Sequence, residues 1–177
     1  IGILGMGPIG RTVMLPAIRR GCAACYATDK IAERCTAARD AGATWVGNPR
    51  EQDVVAAILE QEPLGLDIVF ECCGQQEALD QAMKLLRPGG CLMFIGIPEA
   101  DRVCFDPETM RRKEITIKNV RRQRGCVEKA LELIGENRGD IAALITHRFP
   151  FADSKAAFDL VADYRDGVVK AMIEFGV

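Results

Sequence analysis

Histidine is nearly missing from this chain: of 177 residues, His147 is the single one. Neither sign of charge is in excess, with 23 Lys and Arg against 25 Asp and Glu and a formal net charge of −2. A nucleic-acid-binding surface would show a basic surplus, so that class of partner is excluded. No apolar run approaches the length of a membrane span, and no signal segment opens the chain, so no membrane partner is expected. An initiator methionine is also missing, and Ile1 stands inside an apolar run of strand character. The chain is therefore expected to be a piece of a longer polypeptide.

The shortage of histidine limits what the eight cysteines can do. Cys22-x-x-Cys25 has a metal or redox spacing, but no second CxxC exists and His147 lies far along the chain. A four-ligand zinc site lacks partners, and no metal ligand is assigned. Cys22, Cys25, Cys35, Cys72, Cys73, Cys91, Cys104 and Cys126 are scattered and sit mostly in apolar surroundings. They are expected to be reduced, buried, small hydrophobes of a cytoplasmic protein. With 49% apolar residues over this length, the chain can bury one substantial core, with a small appendage.

Glycine, by contrast, is placed with a pattern. Ile1 to Leu4 run as a strand into Gly5-Met6-Gly7-Pro8-Ile9-Gly10, and Asp29 closes a second apolar run nineteen residues after Gly10. Strand, G-x-G-x-x-G turn, helix, strand and acid together form the layout of a dinucleotide site. Gly5 permits the tight turn, Gly7 lets backbone approach a pyrophosphate, and Gly10 lets the helix pack closely on the sheet. Pro8 suits the first helical turn, where its missing N–H costs nothing, and the remaining free N–H groups favour phosphate oxygens. Asp29 would accept the ribose hydroxyls and repel a 2′-phosphate, which favours NAD over NADP.

Strand and helix then alternate. Strands are expected at 1–5, 23–28, 44–47, 66–72 and 91–96, and helices at 8–20, 31–41, 51–61 and 76–86. Arg87-Pro88-Gly89-Gly90 reads as a tight turn before residue 91. After Pro98 come a helix over 107–112 and a strand over 114–120, whose Lys118 and Asn119 suit a sheet edge. Helices near 125–135 and 152–163 and a strand over 168–175 complete the chain. The fold class is α/β: a Rossmann-type, doubly wound, parallel six-stranded sheet with helices on both faces and a C-terminal tail.

Seven phrases in order carry a resemblance: the glycine turn, Thr28-Asp29, Glu71-Cys72-Cys73-Gly74, Leu86 to Gly90, Phe94-Ile95-Gly96-Ile97-Pro98, Arg112 to Thr116, and Thr146 to Pro150. The whole chain resembles the coenzyme-binding half of the zinc-type medium-chain dehydrogenases, in the branch of the sorbitol and threonine dehydrogenases. The resemblance implies that Gly5, Gly7, Pro8, Ile9 and Gly10 cradle the pyrophosphate. Thr28, Asp29 and Lys30 border the adenosine ribose, and Arg34 stands beside the adenine. Cys72 and Cys73 line the cleft, and Ile95, Gly96, Ile97, Asn119, Val120, Arg121 and Arg122 serve the nicotinamide end. Arg121 and Gln123 replace the aromatic neighbours that the polyol branch usually places around Arg122.

By the same resemblance, zinc belongs to a catalytic domain missing from this chain, no catalytic residue is carried here, and the isolated chain is expected to be inactive. Residues 1–144 would be the NAD-binding domain, and 145–177 a segment returning to the catalytic one. The parent would act on a small alcohol or polyol as a homodimer or homotetramer joined through the Rossmann domain.

Blander readings stand beside these. Glu71 is expected to be positional, His147 structural, and Arg111-Arg112-Lys113 a solvated face or a subunit contact. Arg11 is near enough to contribute to the phosphate site. The alternatives are an S-adenosylmethionine-dependent methyltransferase, whose usual acid two residues before the first glycine is here Ile3, a zinc-independent quinone reductase, and a non-catalytic NAD sensor.

Overall fold

The computed structural model describes residues 1–123, 125–136 and 141–176. Arg124, which ends the basic run that begins at Arg121, lies outside them. The chain divides into two compact units, Ile1–Arg122 and Gln123–Val177.

In the first unit the strands are β1 (Gly2–Leu4), β2 (Tyr26–Thr28), β3 (Trp45–Gly47), β4 (Leu66–Glu71), β5 (Leu86–Phe94) and β6 (Thr116–Asn119). Between them run the helices α1 (Pro8–Arg19), α2 (Ala32–Asp40), α3 (Val54–Gln61), α4 (Gln76–Leu85) and α5 (Pro107–Lys113). All ladders are parallel and the spatial order is β3-β2-β1-β4-β5-β6. The chain winds outward from β1 in one direction, then returns to start β4 on its other side. This is the doubly wound order, with its switch point between β1 and β4.

Adjacent residues in these short strands face opposite sides, which is why the sheet needs helices on both. Ile3, Cys25, Ala27 and Val46 are buried with Met6 and with Met14, Cys35 and Ala38 of α1 and α2. Their neighbours Leu4 and Tyr26 join the opposite cluster, with Val69, Leu92, Ile58 of α3 and Leu79 and Met83 of α4. Asp53 caps α3, its carboxylate accepting from the Val55 and Ala56 amides at 3.0 Å each.

Three details differ from the sequence reading. The phrase Arg87-Pro88-Gly89-Gly90 remains inside β5 as an irregularity rather than a turn before it. Leu86 pairs with Leu66, and the register breaks before Cys91 meets Ile68. Lys113 is not simply a solvated residue: it is half-buried. Its ammonium donates to the carbonyls of Met83, Lys84 and Leu86 at 3.1, 2.7 and 2.7 Å. It thereby satisfies orphan carbonyls at the end of α4, as a cation at a helix C-terminus can. Among the cysteines only Cys25 and Cys35 are buried, whereas Cys73, Cys104 and Cys126 are exposed; all eight are free thiols.

The second unit holds α6 (Val127–Glu136), α7 (Ser154–Ala162) and a parallel pair, β7 (His147–Pro150) with β8 (Ala171–Glu174). Thr146 Oγ accepts from the Val169 amide at 3.1 Å, and His147 lies 3.1 Å from Asp166 through Nε2. His147 therefore has a positional partner set, in keeping with a structural role. Among the described residues no helix is long and apolar enough to cross a membrane.

Burial in the first unit has a measurable consequence. It pushes the Cys25 thiol up to about 11, with the neighbouring Cys22 adding to the effect. It pushes Cys72 up to about 12, helped by the Glu71 charge. Tyr26 rises to about 12, first by burial and then through its hydrogen bond to Glu62. Each folded value exceeds the ordinary 9.0 of a thiol or 10.0 of a phenol. The stability these groups contribute is therefore complete below about pH 9 and is lost as pH rises towards about 12. The midpoint of urea unfolding is expected to fall steeply above about pH 9. A midpoint unchanged well into the alkaline range would contradict this assignment.

Candidate functional site

The parallel register brings the ends of five strands into one row. Thr28 stands beside Leu4, Leu4 beside Glu71, Glu71 beside Phe94, and Phe94 beside Asn119. One residue further along each strand lie Asp29, Gly5, Cys72, Ile95 and Val120. Residues as distant in the sequence as Gly5 and Val120 thus share the carboxyl edge of the sheet, beside the switch point where such folds bind ligands.

The glycine turn is built by close approach. A Cβ on Gly10 would fall 1.9 Å from the Gly5 carbonyl oxygen, so no other residue fits without moving backbone. Gly5 itself has φ +96 and lies against Cys73, whose Cβ would be 2.9 Å from a Cβ placed there. Gly5 N–H donates to the Thr28 carbonyl at 2.8 Å, which ties the start of the turn to β2. Arg11 N–H, at 3.1 Å from the Gly7 carbonyl, makes the first helical bond of α1. The amides of Ile9 and Gly10 precede it, so helical geometry gives them no partner. With the positive end of the helix dipole, they make this turn fit for an anion.

Asp29 is 8% exposed and anchors the turn. Its Oδ2 accepts the Met6 N–H at 2.7 Å and its Oδ1 accepts the Ile31 N–H at 2.9 Å. Arg34 Nη1 lies 3.9 Å from Oδ2 and approaches Gly7, standing 3.3 Å from where a Cβ would be. Thr28 is buried in β2, and Lys30 reaches across to Glu77 at the start of α4, with Nζ 2.7 Å from Oε2. Arg11 is buried on the face of α1 shared with Gly10 and Met14. Burial lowers its pKa, partly offset by Asp40, and its Nε has no hydrogen-bond partner among the described residues.

On the other side of the switch point, Glu71 is completely buried. Its Oε1 accepts from the Cys73 and Gly74 amides at 2.8 and 2.6 Å and lies 3.1 Å from the Cys73 sulfur. Its main-chain carbonyl accepts from the Ile95 and Gly96 amides at 3.0 and 2.9 Å. Glu71 thus fixes both the turn after β4 and the one after β5, which agrees with the positional role read from the sequence. Ile97, 85% exposed, offers an apolar side chain beside this edge. Asn119 ends the edge strand β6 and Val120, Arg121 and Arg122 follow it; all four are exposed, and Arg122 adopts a left-handed φ of 45.

The structure therefore places the glycine turn, the acid and Arg34 in one constellation, with Cys73 in contact with the turn itself. Glu77 was not legible as a site residue. Its position in the first turn of a helix is favourable for any acid, and its partner Lys30 is 47 residues away. Among the described residues no group of three His, Cys, Asp or Glu is arranged to hold a metal ion.

Comparison with known proteins identifies the family. Residues 8–136 match the family model described as "Zinc-binding dehydrogenase", and the chain belongs to that family, as its coenzyme-binding domain. A Rhizobium meliloti protein provisionally named D-xylulose reductase is 34% identical over 97% of this chain and 50% of its own length. Sorbitol dehydrogenase of Bacillus subtilis is 28% identical over 98% of this chain and 49% of its own length. Among solved structures, 2R,3R-butanediol dehydrogenase from Bacillus subtilis superposes with a TM-score of 0.88 at 27% identity. That match covers 98% of this chain and 50% of the other. A provisionally assigned zinc-binding dehydrogenase from Sinorhizobium meliloti 1021, solved bound to NADP, gives 0.87 at 26% identity, covering 98% of this chain and 52% of its own. The chain spans about half the length of the curated relatives it matches.

Two outcomes test the local geometry. Gly10→Ala is expected to lower stability by roughly 1–3 kcal/mol, the usual cost of forcing an added carbon into packed structure. Gly135→Ala, where nothing lies within 4 Å, serves as the urea-unfolding control and should show no loss. The Cys73 residue is exposed, yet its sulfur rests on Glu71, and burial of that sulfur with this hydrogen bond pushes the thiol up to about 12. Thiolate is the reactive form. Iodoacetamide at neutral pH should therefore modify Cys73 more slowly than Cys126, as peptide mass mapping would reveal.

Proposed function

We propose that the first unit binds NAD(H) and presents it to a catalytic half of the kind that full-length relatives carry. The observation that supports this most directly is the anion-ready turn of Gly5 to Gly10, held to a buried Asp29 through the Met6 amide. In this reading Gly7, Pro8, Ile9 and Gly10 take the pyrophosphate, and Asp29 takes the adenosine ribose with Thr28 and Lys30 beside it. Arg34 flanks the adenine, and Cys72 and Cys73 form the floor of the cleft. Ile95, Gly96 and Ile97, with Asn119 to Arg122, receive the nicotinamide end.

A bound nicotinamide supplies or accepts a hydride at its C4 position. What this chain contributes is orientation: Glu71 holds the two turns around the ring's end of the cleft, and the apolar Ile97 excludes water there. Substrate binding and the Lewis acid for a secondary alcohol or ketone fall to the other half, where zinc is expected. The same reading assigns residues 145–177 to packing on that half, and NAD preference to the charge of Asp29. Assembly as a dimer or tetramer through the Rossmann domain accompanies it.

Calorimetric titration of the chain with NADH, NADPH and S-adenosylmethionine tests the proposal. NADH is expected to bind most tightly, and Asp29→Ala should weaken it at least tenfold, since both the ribose acceptor and the tie to Met6 are lost; about 1.4 kcal/mol gives that factor. Preferential binding of S-adenosylmethionine would transfer the chain to the methyltransferase class.

A further inference from the structure

We propose that Glu77 is a specificity-determining residue for the cofactor's 2′ position, acting by engaging Lys30 and denying its charge to a 2′-phosphate. The proposal rests on the dinucleotide reading above and concerns which of two dinucleotides that site prefers.

The local charges make the case. Asp29 alone is a weakened deterrent to a 2′-phosphate. Both of its oxygens already accept backbone N–H groups, and the Arg34 guanidinium stands 3.9 Å away. Lys30, the next residue in the chain, adds a second cation at the same strand end. Left to themselves, Lys30 and Arg34 would outnumber Asp29 and make the ribose site attractive to a phosphate. Glu77 alters that balance. Its Oε2 lies 2.7 Å from Lys30 Nζ, so the four charges Asp29, Glu77, Lys30 and Arg34 sum to zero.

The pairing discriminates because the two ligands ask different things of Lys30. A ribose with two free hydroxyls can be held by Asp29 without disturbing the pair. A 2′-phosphate must either break the Lys30–Glu77 pair or remain beside an anion. Lysine is a compact point charge on a flexible stem, so the freed ammonium could swing to a phosphate once Glu77 is neutral. Side-chain exposures of 40% for Lys30 and 56% for Glu77 keep the effect moderate and sensitive to salt.

The experiment measures dissociation constants of NADH and NADPH by calorimetry on the full chain, as wild type, Glu77→Gln, Lys30→Gln and the double variant. Thermal unfolding confirms that each is folded. Glu77→Gln is expected to strengthen NADPH binding by about fivefold, the factor associated with the upper range of an exposed pair, while NADH changes by less than about twofold. The gain should vanish in the Lys30→Gln background and shrink as ionic strength rises. Equal changes for both dinucleotides, or a gain that persists without Lys30, would overturn the role of Glu77 and leave the dinucleotide reading intact. If neither dinucleotide binds any folded variant, the cofactor reading is overturned, and this proposal with it.

Discussion

The carboxylate of Asp29 is the tie on which the candidate site depends. It sits at the end of β2, yet one oxygen holds the Met6 amide in the glycine turn and the other holds the entry to α2. A buried carboxylate that lost these donors would be left without hydrogen bonds, a cost well above that of an ordinary surface contact. The turn after β1 and the loop after β2 therefore cannot move independently. A group often described only as a ligand acceptor is, in this chain, also part of the scaffold that shapes the anion site.

Glu71 plays the corresponding part across the switch point. Its side chain organises Cys73 and Gly74, and its carbonyl organises Ile95 and Gly96. The two acids thus brace the cleft from β2 and β4, the strands that flank β1 in the sheet. Both are buried; Asp29 engages a backbone amide with each carboxylate oxygen, whereas Glu71 engages two with Oε1 alone. Preorganisation of this sort lowers the cost of ordering loops when a long, flexible dinucleotide arrives.

The division of the chain into two units has a bearing on function. The site belongs wholly to Ile1–Arg122. The second unit carries its own parallel strand pair and exposes Phe151, Phe158 and Phe175 at 61%, 70% and 71%. Exposed aromatics at this density suit the proposed assignment of the tail to a larger assembly, in which their apolar surface would be removed from water.

Much of this was legible before any coordinates. The strand into Gly5, the spacing to Gly10 and the acid at position 29 are demands of backbone geometry over a few residues, and only certain residue types meet them. The alternation that sends Ile3 and Leu4 to opposite faces is likewise local, so the doubly wound sheet followed from the sequence. Tertiary structure alone decided the rest. That Lys113 caps α4, that Arg87 to Gly90 stays within β5 and that Lys30 meets Glu77 all depend on which segments become neighbours once the register is set. A lysine's reach is the same in every sequence context, and only the folded chain determines which carboxylate or carbonyl lies within it.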